Sequence, residues 1–106
     1  MKKIYKIVVF VPELAADRVR QVMGEVGAGK IGNYSHCTYS MKGIGRFMPL
    51  EGSKPTEGEI GKIGEVVEER IETICDKEKL DAVLKAIKTA HPYEEAPIDV
   101  YEIMIK

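Results

Sequence analysis

At 106 residues the chain has the length of one domain and can bury roughly two-thirds of its unfolded surface. Apolar residues make up 44% and charged residues 31%, which argues against disorder, and with five Tyr, two Phe and no Trp the core has to be largely aliphatic. Sixteen Lys and Arg against seventeen Asp and Glu leave a formal charge of -1, so no global field draws nucleic acid or an anionic membrane.

The basic start Met1-Lys2-Lys3 precedes an apolar run that ends by Val11, too short to span a bilayer and without a small-residue cleavage site. Cys37 and Cys75 form neither a Cys-x-x-Cys pair nor a secreted disulfide framework. These features read as a cytoplasmic protein with reduced thiols.

Ile4 to Val11 is rich in β-branched residues and stops at Pro12, as a strand covered on at least one face does. Pro12 and Glu13 suit a helix start, since Pro tolerates the first helical position and a carboxylate favours the positive end of the dipole. Ala15, Val19, Val22, Met23 and Val26 then make one apolar stripe, and the helix ends at Gly27. Tyr34 to Met41 alternates loosely and reads as the second strand. Gly43 to Gly64 holds six glycines and two prolines and reads as a long loop or irregular hairpin.

Glu65 to Cys75 alternates as a third strand, with Val67, Ile71, Thr73 and Cys75 on one side. Asp76 is placed to cap the next helix with its side chain, Leu80, Val83, Leu84 and Ile87 form its stripe, and Pro92 lies beyond its end near Ala90. Ile98 to Ile105 supplies the last strand. The order βαββαβ predicts an α+β, ferredoxin-like domain over 1–106: a four-stranded antiparallel sheet with two helices on one face. That topology puts the turn after the first strand, the glycine-rich segment and the His91 region at one end. Asn33 and His36 fall at the other.

Gly27 to Gly32 satisfies a bare GxGxxG, and Gly24 to Lys30 approaches a P-loop. In both the helix precedes the strand, and Ile31 stands where Ser or Thr would bind magnesium, so the stretch reads as a glycine helix cap and turn. His91-Pro92-Tyr93-Glu94-Glu95 is the densest chemistry: imidazole, phenol and two carboxylates on a rigid turn. His91, Glu94 and Glu95 are the candidate ligands for a divalent metal ion, with Tyr93, Asn33, His36 and Arg46 as further ligand-binding candidates. The bland reading has His91 at the negative end of the second helix and the acids solvated. His36 and Cys37 would point to opposite faces of a strand, and Cys37 and Cys75 read as structural thiols rather than a redox pair. The acids Glu65, Glu68, Glu69 and Glu72 split between two faces and read as solvated. Arg46, Phe47, Lys54 and Lys62 are the contact groups of the long loop. No catalytic set such as a Ser-His-Asp or Cys-His relay stands out.

Gly29-Lys30-Ile31-Gly32-Asn33-Tyr34, Gly45-Arg46-Phe47 with Pro49 and Gly52, Arg70-Ile71-Glu72-Thr73 and His91-Pro92-Tyr93-Glu94-Glu95 resemble, in that order, the domain inserted in many bacterial Nif-three-like (Ngg-interacting factor) proteins. The last phrase is also similar to that of CutA proteins. The resemblance implies the PII-like, trimer-forming variant of the ferredoxin-like fold, with the dinuclear metal site of the full-length proteins in flanking core domains. It also implies a loop between the second and third strands that reaches a partner or ligand.

The expectation is a non-enzymatic, homo-oligomeric PII/CutA-like binding or regulatory module, with a trimer favoured and a dimer the alternative. A small ligand or protein partner would sit between subunits. The alternative is a metal-binding protein or an accessory subunit of a metal-dependent hydrolase.

Overall fold

The computed structural model describes residues 2–105, so Met1 of the basic start lies outside the described residues. Six elements follow in the order β1 (Lys2–Pro12), α1 (Glu13–Glu25), β2 (Tyr39–Phe47), β3 (Gly64–Cys75), α2 (Lys77–Ala90) and β4 (Ile98–Ile105). The sheet is ordered β2-β3-β1-β4 and every pairing is antiparallel. This is the ferredoxin-like arrangement expected from the order of elements.

Alternation along the central strands builds the core. Ile7, Val9 and Val11 of β1 and Ile71 and Cys75 of β3 point to one face, where Ala16, Val19 and Met23 of α1 and Val83 and Ile87 of α2 cover them. Both helices therefore lie on that face. Each large aliphatic side chain buried there contributes about 1.5–3 kcal/mol of transfer free energy. The α1 stripe turns on Ala16, Val19 and Met23, with Ala15 and Val26 only partly buried beside it.

The opposite face of the sheet carries Lys6, Val8 and Phe10 of β1, Glu68, Arg70, Glu72 and Ile74 of β3, Tyr39 and Met41 of β2 and Tyr101 and Ile103 of β4, as the register dictates. No helix covers it.

Three local expectations are corrected. The second strand starts at Tyr39 rather than Tyr34 and runs through Gly43 and Gly45 to Phe47, so the long loop shortens to residues 48–63. A Cβ on Gly45 would stand 2.2 Å from the Glu68 carboxylate, and one on Gly64 3.0 Å from the Phe47 ring. These glycines make room for neighbouring side chains within the hairpin. The segment before β2 is irregular: His36 has φ 60°, and its ring lies where a Cβ on Gly24 would be. The opposed-faces expectation for His36 and Cys37 therefore lapses. Asp76 is the N-terminal flank of α2, but its side chain makes no cap; the carboxylate pairs with Lys2 Nζ at 3.0 Å instead.

The β2–β3 hairpin overshoots the helices and gives the molecule its extents of 46 × 21 × 21 Å. Val67 has the parity of the buried residues yet is 51% exposed, as is its cross-strand partner Ile44 at 67%, because both lie in this projection.

Candidate functional site

Where the hairpin loop returns, it folds toward the turn that links α2 to β4. The Lys54 backbone N–H donates to Glu94 Oε1 at 2.8 Å, and Thr56 Oγ1 donates to the Pro92 carbonyl at 2.9 Å. Tyr93 Oη donates to Glu68 Oε2 at 3.0 Å, and the Phe10 N–H donates to the Pro97 carbonyl at 3.1 Å. Between loop, turn and sheet lies a groove of about 540 Å³, walled by Phe10, Phe47, Met48, Pro49, Leu50 and Pro97 and edged by Arg46, Glu57, Glu68, Tyr93, Glu94 and Glu95. A mainly apolar concavity with a few polar groups is the usual form of a small-ligand site.

His91 closes α2 outside the lining of this groove and is only 6% exposed. Nε2 lies 2.7 Å from the Phe10 carbonyl, which only accepts, and Nδ1 lies 3.1 Å from the Tyr93 N–H, which only donates. Nε2 therefore carries the proton and Nδ1 accepts, so both ring nitrogens are spent on holding the turn. A metal at Nδ1 would have to displace the Tyr93 N–H. Among the described residues no three His, Cys, Asp or Glu side chains converge as a metal site.

Tyr93 is held neutral. Burial first, then the hydrogen bond to Glu68 and the charges of Glu68 and Glu57, push its phenol far above the ordinary tyrosine range. Glu68 is thus a groove acceptor rather than the solvated acid expected. Glu69 is likewise not solvated. It is buried and takes Arg20 Nη1, which also reaches Ser40 Oγ at 3.1 Å, while Arg20 Nη2 donates to Asp17 at 2.5 Å. The Asp17 hydrogen bond raises the Arg20 pKa, burial opposes it, and Glu69 adds to the rise.

Of the residues singled out in the sequence, Arg46, Tyr93, Glu94 and Glu95 come together at the groove, while His91 lies outside its lining and bonds the Phe10 carbonyl and the Tyr93 N–H. Asn33 and His36 do not join them. His36 lies in the segment between α1 and β2, its Nδ1 2.9 Å from Ser35 Oγ, and Asn33 is exposed in the same segment. Phe10, Leu50 and Glu68 were not foreseen as site residues. The signal for Phe10 was available, because it shares the sheet face of Lys6 and Val8, away from the core. Both cysteines are free, and burial raises the Cys75 thiol pKa, with the charge of Asp76 adding to it. No helix among the described residues is long and apolar enough to cross a membrane.

No family model matches the chain. A Bacillus subtilis protein named GTP cyclohydrolase 1 type 2 homolog is 46% identical over 98 residues, which are 92% of this chain and 26% of that protein. A solved Bacillus cereus protein related to NIF3 superposes with a TM-score of 0.84 at 48% identity, covering 96% of this chain and 26% of the other. This chain is a homologue of one segment of the NIF3-related proteins.

It spans about a quarter of the length of those relatives. A Mycobacterium tuberculosis GTP cyclohydrolase 1 type 2 homolog repeats the relation at 38% identity over 99 residues, 93% of this chain and 26% of its own length. The NIF3-related segment also shares its fold with the periplasmic divalent cation tolerance protein CutA of Archaeoglobus fulgidus. There the TM-score is 0.70 at 20% identity, over 99% of this chain and 87% of CutA.

Proposed function

We propose that this NIF3-related segment is a homo-oligomeric PII/CutA-like binding or regulatory module, without catalysis of its own, whose ligand is received at the loop groove. The uncovered sheet face carries the proposal: Tyr39, Met41 and Tyr101 are exposed on it and Val66, Ile74 and Ile103 half-buried, while among the described residues the outer edges of β2 and β4 are unpaired. Exposed apolar side chains flanked by open strand edges are protected in soluble proteins by association, and closed cyclic symmetry is the economical solution.

A trimer is the favoured assembly and a dimer the alternative. Sedimentation equilibrium should give a mass near a threefold multiple of 11.8 kDa, and Met41→Glu with Tyr101→Glu should dissociate it while circular dichroism stays unchanged. A monomer throughout the micromolar-to-millimolar range would refute the module as stated.

A second reading has one observation in its favour: the relatives named GTP cyclohydrolase 1 type 2 homolog extend well beyond this segment. In that reading the segment is an accessory part of a metal-dependent hydrolase, with Glu94 and Glu95 as its metal-facing groups. Elemental analysis of protein purified without chelators, and titration of wild type and Glu94→Gln/Glu95→Gln with a divalent metal, would decide it; no bound metal and no response in either protein rejects it.

A further inference from the structure

The groove has a charge imbalance that its apolar walls make consequential. Glu57, Glu68, Glu94 and Glu95 edge it against a single cation among the described residues, Arg46, whose guanidinium is engaged by Glu65 at 3.4 Å outside the groove. Arg70, which lies over the Phe10 ring, is likewise taken up by Glu72 at 3.1 Å. Glu68 and Glu94 each spend one oxygen on Tyr93 and Lys54, leaving the other oxygen of each carboxylate unassigned.

We propose that the groove binds an organic cation: a protonated amine carried on an aromatic or aliphatic body. The body lies against Phe47, Met48 and Leu50, and the ammonium donates to Glu68. Charge complementarity selects this class. An anion would meet four carboxylates, a neutral ligand would leave them without a counter-charge in a partly dry site, and a bare metal ion would gain nothing from the apolar walls. This rests on the reading of the groove as the ligand site and adds the chemistry of the ligand.

The test is calorimetric titration of the full chain with phenethylammonium, 2-phenylethanol and phenylacetate, which share a phenyl body and differ in charge. The ammonium should bind about tenfold or more tighter than the alcohol, with the acetate weakest. Glu68→Gln, and Glu95→Gln as a variant at an exposed position, should lower the ammonium affinity and leave the alcohol unchanged. Equal binding of ammonium and alcohol would overturn the charge assignment while the groove stands as a ligand site. Absence of binding by all three at millimolar concentration would overturn both.

Discussion

Tyr93 shows how one side chain can tie a turn to a sheet. Its hydroxyl donates to Glu68 on β3, and its backbone N–H donates to His91 at the end of α2. Because the folded phenol titrates far above its unfolded value, its stabilisation is fully present below about pH 10, where the unfolded phenol ionises, and is lost as the pH rises beyond that. Tyr93→Phe should cost about 1–2 kcal/mol at neutral pH, the loss of a hydrogen bond to a carboxylate. It should also flatten the alkaline fall in stability, checked by urea unfolding at a series of pH values.

Arg20 poses the complementary case of a charge taken indoors. Its partner Glu69 has a side chain only 10% exposed, whereas its other partner, Asp17, is 97% exposed. Arg20→Met leaves the Glu69 carboxylate buried without its cation and should cost about 3–5 kcal/mol, with most of the loss recovered in Arg20→Met/Glu69→Leu. Asp17→Asn should change stability by less than about 1 kcal/mol, because an exposed pair is worth little. A denaturant series on the four proteins checks the set.

At the scale of elements, the link from α1 to β2 depends on one glycine. Gly29 has φ 77°, its N–H donates to the Ile74 carbonyl at 2.7 Å, and its own carbonyl accepts from Cys37 N–H at 2.9 Å. Thr73 Oγ1 completes the junction by donating to the Cys37 carbonyl at 2.8 Å. A Cβ at Gly29 would stand 2.5 Å from the Cys37 carbonyl oxygen, against backbone that cannot swing aside. Gly29→Ala should therefore destabilise by more than about 2 kcal/mol, positive φ and close approach acting together, whereas Gly32→Ala, with nothing within 4 Å of its Cβ, carries only the strain of its φ. Thermal melts of the two variants make the comparison. The GxGxxG-like stretch thus serves as a junction between α1 and the end of β3, in line with its reading as a cap and turn.

On the scale of the whole molecule, the groove exists because a loop between neighbouring strands reaches back to a turn between other elements. The β2–β3 ladder is complete from Tyr39↔Glu72 to Phe47↔Gly64 without the loop. Replacing residues 48–63 by a short glycine-containing turn should leave the far-ultraviolet spectrum and cooperative unfolding in place and abolish ligand binding at the groove. Loss of cooperative folding in that variant would show that the loop holds the sheet together as well.

The periodicity of β1, β3, α2 and β4 was legible because each element pairs a strong apolar alternation or stripe with a clear boundary at Pro12, Asp76, Pro92 or Pro97. β2 was legible as a strand but not in its bounds, because Gly43 and Gly45 look like loop residues until Glu68 is seen above Gly45. The chemistry of residues 91–95 was visible as a cluster, but its division of labour was not. His91 turns inward to the Phe10 carbonyl and Tyr93 outward to Glu68, partners 81 and 25 positions away. Local pattern determined the element types and their order, since backbone propensity and burial period act over a few residues. Tertiary structure alone decided which acids are buried, which nitrogens are committed and where the groove opens, because each of those rests on contacts between segments distant in the chain.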